Sequence, residues 1–209
     1  MHTKRWLQSA LFLLALAALC GATTHAQTDI SASIYGAFTG STTYSNLLHQ
    51  RPADAAGGLV EIRHIHNPLV GYEVTYSFHR ANQVYTYTGG VPAGGGPVLP
   101  VAVSANAHEI TGDWLISARA ASFRPFALAG VGVLLNEPAS GQSDTQSSST
   151  AVYVYGVGVD WRLLPRIGLR LQYRGNVYKA PWLTKALGPG NGSPFNHTAE
   201  PMIGAYFRF

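Results

Sequence analysis

The stretch at 151–178, AVYVYGVGVDWRLLPRIGLRLQYRGNVY, restricts the fold more than any other part of the chain. It reads as two strands joined by a turn at 163–167. In the first arm Tyr153, Tyr155, Val157, Val159 and Trp161 share one face, against Val152, Gly156, Gly158 and Asp160 on the other. In the second, Leu169, Leu171, Tyr173 and Val177 alternate with Arg170, Gln172, Arg174 and Asn176. Strict period-two alternation over about ten residues per arm marks long strands. The uniform face is the apolar one, and the other mixes charge with glycine. Strands in soluble sandwiches usually run only about five or six residues. Strands of about ten, apolar outside and polar inside, are what a transmembrane β-barrel requires.

The chain has 209 residues, enough for one domain. Residues 1–26 are expected to be a cleaved signal peptide. Lys4 and Arg5 form its basic start, 11–19 its apolar run, and Thr24-His25-Ala26 its small-residue cleavage site. The barrel domain is then expected over 27–209. Cys20 would leave with the signal; Leu19 is too large for the residue that precedes a lipidated cysteine. With the one cysteine gone, a disulfide scaffold, thiol catalysis and zinc–thiolate sites are excluded. Of the 14 Lys and Arg, Lys4 and Arg5 leave as well, so 12 basic residues face 10 acidic ones. No basic run remains that would point to nucleic acid. Past the signal, no apolar run approaches the roughly 20 residues of a membrane helix.

In chain order, a first strand is expected over 29–39, with Ile30, Ile34 and Phe38 opposite Ser31, Ser33 and Tyr35. A polar loop follows at 40–56, and then a hairpin, 57–66 and 70–79, turning at Asn67-Pro68-Leu69. The segment 80–107, with its glycine run and three prolines, reads as one long loop. Its glycines precede Pro97 rather than a lysine that opens a helix, so it is no phosphate loop. A strand at 108–119 leads through a short connection at 120–125 to a small-residue strand at 126–135, whose faces the sequence does not separate. A low-complexity loop covers 136–150 and another loop 179–197. The last strand runs from about 198 to Phe209. The connections alternate long and short throughout. Outer-membrane barrels have short periplasmic turns, longer external loops and an even strand count. The expected fold is therefore all-β: a closed, antiparallel, eight-stranded transmembrane β-barrel.

Particular residues carry a family resemblance. Phe123-Arg124-Pro125-Phe126 leading into Ala129-Gly130-Val131-Gly132, then Gly156-Val157-Gly158-Val159-Asp160-Trp161-Arg162-Leu163, resembles the small eight-stranded OmpA/OmpW-like outer-membrane barrels. So does the ending Ala205-Tyr206-Phe207-Arg208-Phe209. The resemblance implies residence in the bacterial outer membrane and a terminal aromatic strand, Phe207 and Phe209, read by the outer-membrane assembly machinery. The sequence ends at Phe209, so the peptidoglycan-binding domain that follows the barrel in OmpA is not expected, and cell-wall anchoring is not carried over.

Parity puts Glu61, Glu73, Asp113, Asp160 and Glu200 inside with Arg63, Arg119, Arg170, Arg174 and Arg208. Turn registers set Arg63 opposite Glu73 and Asp160 opposite Arg170. An eight-stranded barrel is just wide enough for its own side chains, so five acids against five bases are expected to plug the lumen. The alternative is a gated ion path through the same charges. Tyr72, Tyr76, Trp114, Tyr153, Trp161, Tyr173, Phe207 and Phe209 fall on the outward face, where aromatic side chains suit the headgroup level.

Other chemistry is sparse. His64 and His66 share a strand face, half of a copper or zinc site. They sit at the Asn67-Pro68 turn, where a rim histidine is the simpler reading. His79 and His108, with Glu109 nearby, flank the second long loop and could bind metal or act as acid and base. His197-Thr198 and the serines at 147–149 merit attention because lipid-modifying barrels use serine and histidine, but no carboxylate orients a histidine there. No catalytic residue, metal or cofactor is expected. The role expected is non-catalytic, either structural in the envelope or recognition by the surface loops. A narrow channel, or a route for small apolar molecules, is the alternative, and a lipid-modifying enzyme the next. Expected partners are outer-membrane lipid, the assembly machinery and a ligand of unspecified kind at the long loops.

Overall fold

Each long alternating segment pairs with its neighbour, and the first pairs with the last. In the structure, a computed structural model, residues 27–44, 48–66, 69–87, 100–187, 192 and 194–209 are described, so the expected signal peptide lies outside them. Every regular element among the described residues is a strand: β1 (Gln27–Thr39), β2 (Thr42–Thr43), β3 (Leu48–Pro52), β4 (Ala55–Ile65), β5 (Val70–Tyr87), β6 (Val101–Ser117), β7 (Phe123–Pro138), β8 (Ser148–Arg162), β9 (Ile167–Lys179) and β10 (Phe195–Arg208). β1 and β4 to β10 form an antiparallel ring of eight, closed by the β1–β10 and β5–β6 pairings. β2 and β3 are an annex on the edge of β5 at the long-loop end.

The side chains are sorted inside out. Trp114 is 71 % exposed and Ile34 70 %, whereas Arg63, Arg170 and Arg174 are fully buried. Water would penalise such an apolar exterior by about 25 cal/mol per Å². Hydrocarbon reverses the sign, and it also demands paired backbone amides, which the closed ring supplies along each seam apart from one break between β1 and β10. Phe123 stacks on Trp161 at 5.9 Å, and Phe207 packs edge-on against Phe209 at 5.4 Å, all at the short-turn end of the wall.

Several expected boundaries move. The segment 80–107 is not one long loop: β5 continues to Tyr87 and β6 begins at Val101. There the period-two pattern persists while the outward residues turn polar, as at Arg80 and Asn82. An apolar outer face therefore stops signalling a strand that hydrogen bonding sustains. The expected loop at 40–56 holds β2 and β3 and buries Tyr44, Leu48 and Gln50. The loop at 136–150 shrinks, because β7 reaches Pro138 and β8 starts at Ser148; β10 likewise begins early, at Phe195. The faces of β7 resolve, with Arg124, Phe126, Leu128, Leu134 and Asn136 inward and Val131, Val133 and Leu135 outward.

One close fit inside the wall depends on a missing side chain. Gly57 pairs with Tyr35 across β1 and β4, and a Cβ at Gly57 would collide with the Tyr35 phenol and with the Phe78 carbonyl. The Tyr35 phenol therefore occupies the space a side chain at Gly57 would need, and its hydroxyl is held 3.1 Å from His79 Nδ1. Gly57→Val is expected to displace that ring. Overpacking of this kind typically costs about 1–3 kcal/mol, to be read as a lower urea midpoint for unfolding from lipid vesicles.

Candidate functional site

The interior is built in storeys. In the lower one, Arg170 on β9 donates from Nε to Asp160 Oδ1 at 2.7 Å and from Nη2 to Asp160 Oδ2 and Asp29 Oδ1, each at 3.1 Å. Its Nη1 reaches Ser31 Oγ at 3.1 Å and also bonds Glu61. Arg63 on β4 donates from Nε to Glu73 Oε2 at 2.7 Å and from Nη1 to Asp160 Oδ2 at 3.4 Å. The Arg63 guanidinium stacks over the Phe126 ring at 4.1 Å. Two arginines thus bind four carboxylates carried by β1, β4, β5 and β8. In the upper storey Arg174 donates to Thr75 Oγ1, Thr111 Oγ1 and Glu109 Oε1 at 3.1, 3.2 and 3.3 Å. Asp113 Oδ2 lies 3.8 Å from it, and Asn176 Nδ2 donates to Glu109 Oε2 at 3.0 Å.

The balance differs from five acids against five bases. Asp29, Glu61, Glu73, Glu109, Asp113, Asp160 and Glu200 are all buried, against Arg63, Arg124, Arg170 and Arg174. Arg119 is not an interior charge, because β6 ends at Ser117 and leaves it exposed in the following turn. Arg208 is only half-buried, at the last position of β10. Asp29 and Glu109 were legible by parity with Ser31 and Thr111. Arg124 was hidden in a segment read as a turn.

The lumen also has two apolar strips. Leu115, Phe126, Leu128, Leu134, Val152 and Val154 line one side, and Tyr35, Ala37, Leu59 and Met202 the other. Above them Tyr44, Leu48, Tyr85, Val103, Ala105 and Leu183 cluster at the long-loop end, with Trp182 packed against Tyr44 and Tyr85. Gln50 Nε2 donates to Gln83 Oε1 at 2.9 Å and to the Pro181 carbonyl at 3.1 Å, and Tyr44 donates to Gln50 Oε1 at 3.0 Å. Burial pushes the Tyr44 phenol up to about 12, so it remains a hydroxyl donor at neutral pH. Gln146 N donates to Leu183 O and Lys185 N to Asp144 O, tying a third loop in. Segments from three loops therefore make a cap over the mouth.

Among the described residues, the seam between β1 and β10 is interrupted for two rungs. The β1–β10 ladder pairs Tyr35 with Met202 and resumes only at Phe38 and Ala199. Pro201, which has no N–H to donate, falls in the gap. Outside the gap is a shallow groove lined by Ile34, Gly36, Ala56, Pro201 and Ile203. Inside it lies the strip of Tyr35, Ala37, Leu59 and Met202.

A closed eight-stranded ring with an apolar exterior and a charged interior matches one family model, the outer membrane protein β-barrel domain, over residues 12–207. The chain belongs to that family. No curated protein matches it. Among solved structures it is similar to the outer membrane protein OprG of Pseudomonas aeruginosa, at TM-score 0.62 and 10% identity over 89% of this chain and 97% of that one. It is also similar to Neisserial surface protein A, at TM-score 0.57 and 16% identity, covering 87% and 97%. A third is Ail, the attachment invasion locus protein of Yersinia pestis, in complex with the heparin analogue sucrose octasulfate. There the TM-score is 0.53 and the identity 15%, with 88% and 99% covered. Such likeness fixes the fold. This outer-membrane barrel lies in the bacterial outer membrane, with its short turns in the periplasm and its capped end outside.

The remaining candidates do not converge in the barrel. His64 Nδ1 bonds Thr28 Oγ1 at 2.9 Å and its ring lies against Tyr72, while His66 is exposed at the periplasmic turn. His79 bonds Tyr35, and His108 bonds the Tyr76 hydroxyl at 2.9 Å on the outer wall, facing away from Glu109. His197 Nε2 lies 2.7 Å from the Tyr155 hydroxyl outside, while Thr198 bonds Tyr178 and Thr39 inside. Among the described residues no three His, Cys, Asp or Glu side chains gather as metal ligands.

Because Arg170 joins β9 to β1, β4 and β8, Arg170→Met leaves three carboxylates short of a partner. Breaking a buried pair from one side typically costs about 3–5 kcal/mol, and urea unfolding from lipid vesicles measures the loss. A double-mutant cycle with Asp160→Asn is expected to recover part of it, since the two side chains share one interaction.

Proposed function

We propose that this barrel is a sealed, non-catalytic envelope protein whose capped loops serve as a recognition surface. The observation that carries the reading is the interior itself. Arginine–carboxylate bonds cross the lumen at two levels, Arg63 to Asp160 and Arg170 to Glu61 below and Arg174 to Glu109 above, and an apolar cap lies over them. An ion entering this path would have to displace hydrogen-bonded charges in a space already filled by side chains. The cap supports recognition because its loops are held to one another by Gln50, Tyr44 and the 144–146 segment, which gives the outer surface a defined shape. A catalytic reading draws no support from histidines that bond tyrosines or threonines one at a time.

In planar bilayers the refolded protein is expected to give no steady, large conductance as a monomer. The charge-swapped pair Asp160→Arg with Arg170→Asp should stay closed as well. Sustained opening of the unaltered barrel would end the plug reading.

A second reading, a lateral route for small apolar molecules, is favoured by the interrupted rungs at Pro201. There an apolar strip inside and an apolar groove outside meet across the wall. Ile34 and Ile203 are cross-strand partners beside the gap. On this reading, a disulfide from Ile34→Cys and Ile203→Cys slows transfer of an apolar fluorophore into proteoliposomes severalfold, and reduction restores it. Equal transfer in both redox states leaves only the sealed barrel.

A further inference from the structure

Three arginines inside this barrel are bound to carboxylates; four more at its periplasmic mouth form no ion pair among the described residues. Arg119 and Arg124 come from the β6–β7 turn and the start of β7, Arg162 from the end of β8 and Arg208 from the end of β10. All four line one shallow cleft together with Tyr206. Backbone bonds hold the cleft in shape. Ala120 and Phe123 exchange two bonds of 2.8 Å around Ala121, which sits at φ 53. Arg162 N donates to Ser122 O and Arg208 N to Arg166 O, both at 2.8 Å. The guanidiniums are thus brought together by the ends of four strands rather than by chance exposure.

The carboxylates above, Asp160 and Asp29, act on Arg124 through space but do not bond to it. The one carboxylate lining the cleft is Asp160, and both of its oxygens already accept bonds from Arg63 and Arg170. Among the described residues no ion pair joins any of the four arginines to a carboxylate. Arg124 is 6% exposed; its Nη2 donates to Gln27 Oε1 at 3.1 Å, and its Nη1 has no hydrogen-bond partner. Arg208 Nε, also buried, has none either. A buried guanidinium with an unused donor, beside like charges, is the arrangement that an oxyanion completes. Planar forks arriving from several sides suit the oxygens of a tetrahedral phosphate.

The geometry points to a phosphate-binding site at the periplasmic mouth, with Arg124 and Arg208 as inner ligands and Arg119 and Arg162 at its rim. The stacked Phe123–Trp161 pair stands beside the cleft on the outer wall, at the level that aromatic belts occupy between acyl chains and headgroups. The phosphate of an inner-leaflet lipid headgroup and a phosphate group free in the periplasm can both reach it. Carboxylate bonding in the lower storey does not require this site, so its failure would leave the sealed-barrel reading untouched.

The experiment uses the complete barrel with arginine side chains labelled with ¹⁵N, folded in zwitterionic micelles, and titrated with inorganic phosphate while the arginine N–H signals are followed by NMR. A parallel arm measures, by native mass spectrometry, retention of phosphatidylglycerol against phosphatidylcholine. Saturable shifts at Arg124 and Arg208 with phosphate alone support the site and identify a water-borne source. Selective retention of phosphatidylglycerol without those shifts supports it and identifies the headgroup. Arg124→Gln is expected to weaken either signal by about tenfold, the change that loss of one charge-assisted bond of about 1.4 kcal/mol produces. Arg119→Gln, in an exposed turn, should weaken it severalfold while keeping the heat-modifiable gel shift of a folded barrel. Unsaturable shifts with no lipid preference, or saturation unaltered in both variants, would overturn the assignment.

Discussion

A peptide group in hydrocarbon has no water to bond to, and this barrel is organised by that fact. Ring closure through β1–β10 and β5–β6 pairs the amides around the wall. Once the ring has eight strands, its radius is set, and the interior has room only for its own side chains. The interior charges must then solve their desolvation among themselves. Arg63 and Arg170 do so by bonding four carboxylates from four strands. These bonds hold the wall at fixed spacings, which backbone pairing alone would not do across the lumen.

The interior is not uniformly polar. Apolar strips that include Leu115, Leu128 and Val154 on one side and Tyr35, Leu59 and Met202 on the other share the lumen with the charged storeys, and Phe126 supports Arg63 by its ring face. Low polarity around an ion pair strengthens it and also raises the penalty for losing either partner. The external cap follows the same logic, with buried glutamines and phenols bonding one another inside an apolar cluster.

Much of this was legible in the sequence wherever the two faces of a strand differ chemically. Alternation alone set Glu61, Arg63, Glu73, Asp113, Asp160, Arg170, Arg174 and Glu200 on the inner face, because a period of two leaves no freedom once one face meets lipid. It failed where that contrast fades. β7, rich in glycine and alanine, presents small residues on both sides, so Phe126 and Leu128 could not be given a face. Past the membrane, β5 and β6 meet water on the outside, and their polar outward residues read as loop. The cap was invisible for a different reason: Leu48, Tyr85 and Leu183 are far apart in the chain, and only tertiary contact makes them one cluster. Parity holds only to Ser117, the last paired position of β6, which leaves Arg119 outside the interior.

The continuation of β5 and β6 beyond the wall has a mechanical consequence. Val101 to Ala107 pair with Tyr85 to His79 as an unbroken two-stranded ribbon, with β3 along one edge and β7 along part of the other. At about 3.3 Å per residue, the paired part of this ribbon is roughly 20 Å long. It is a continuation of the sheet rather than a tether. Anything that touches its paired residues meets backbone continuous with the barrel wall. A force applied there passes through hydrogen bonds in shear directly into the barrel wall.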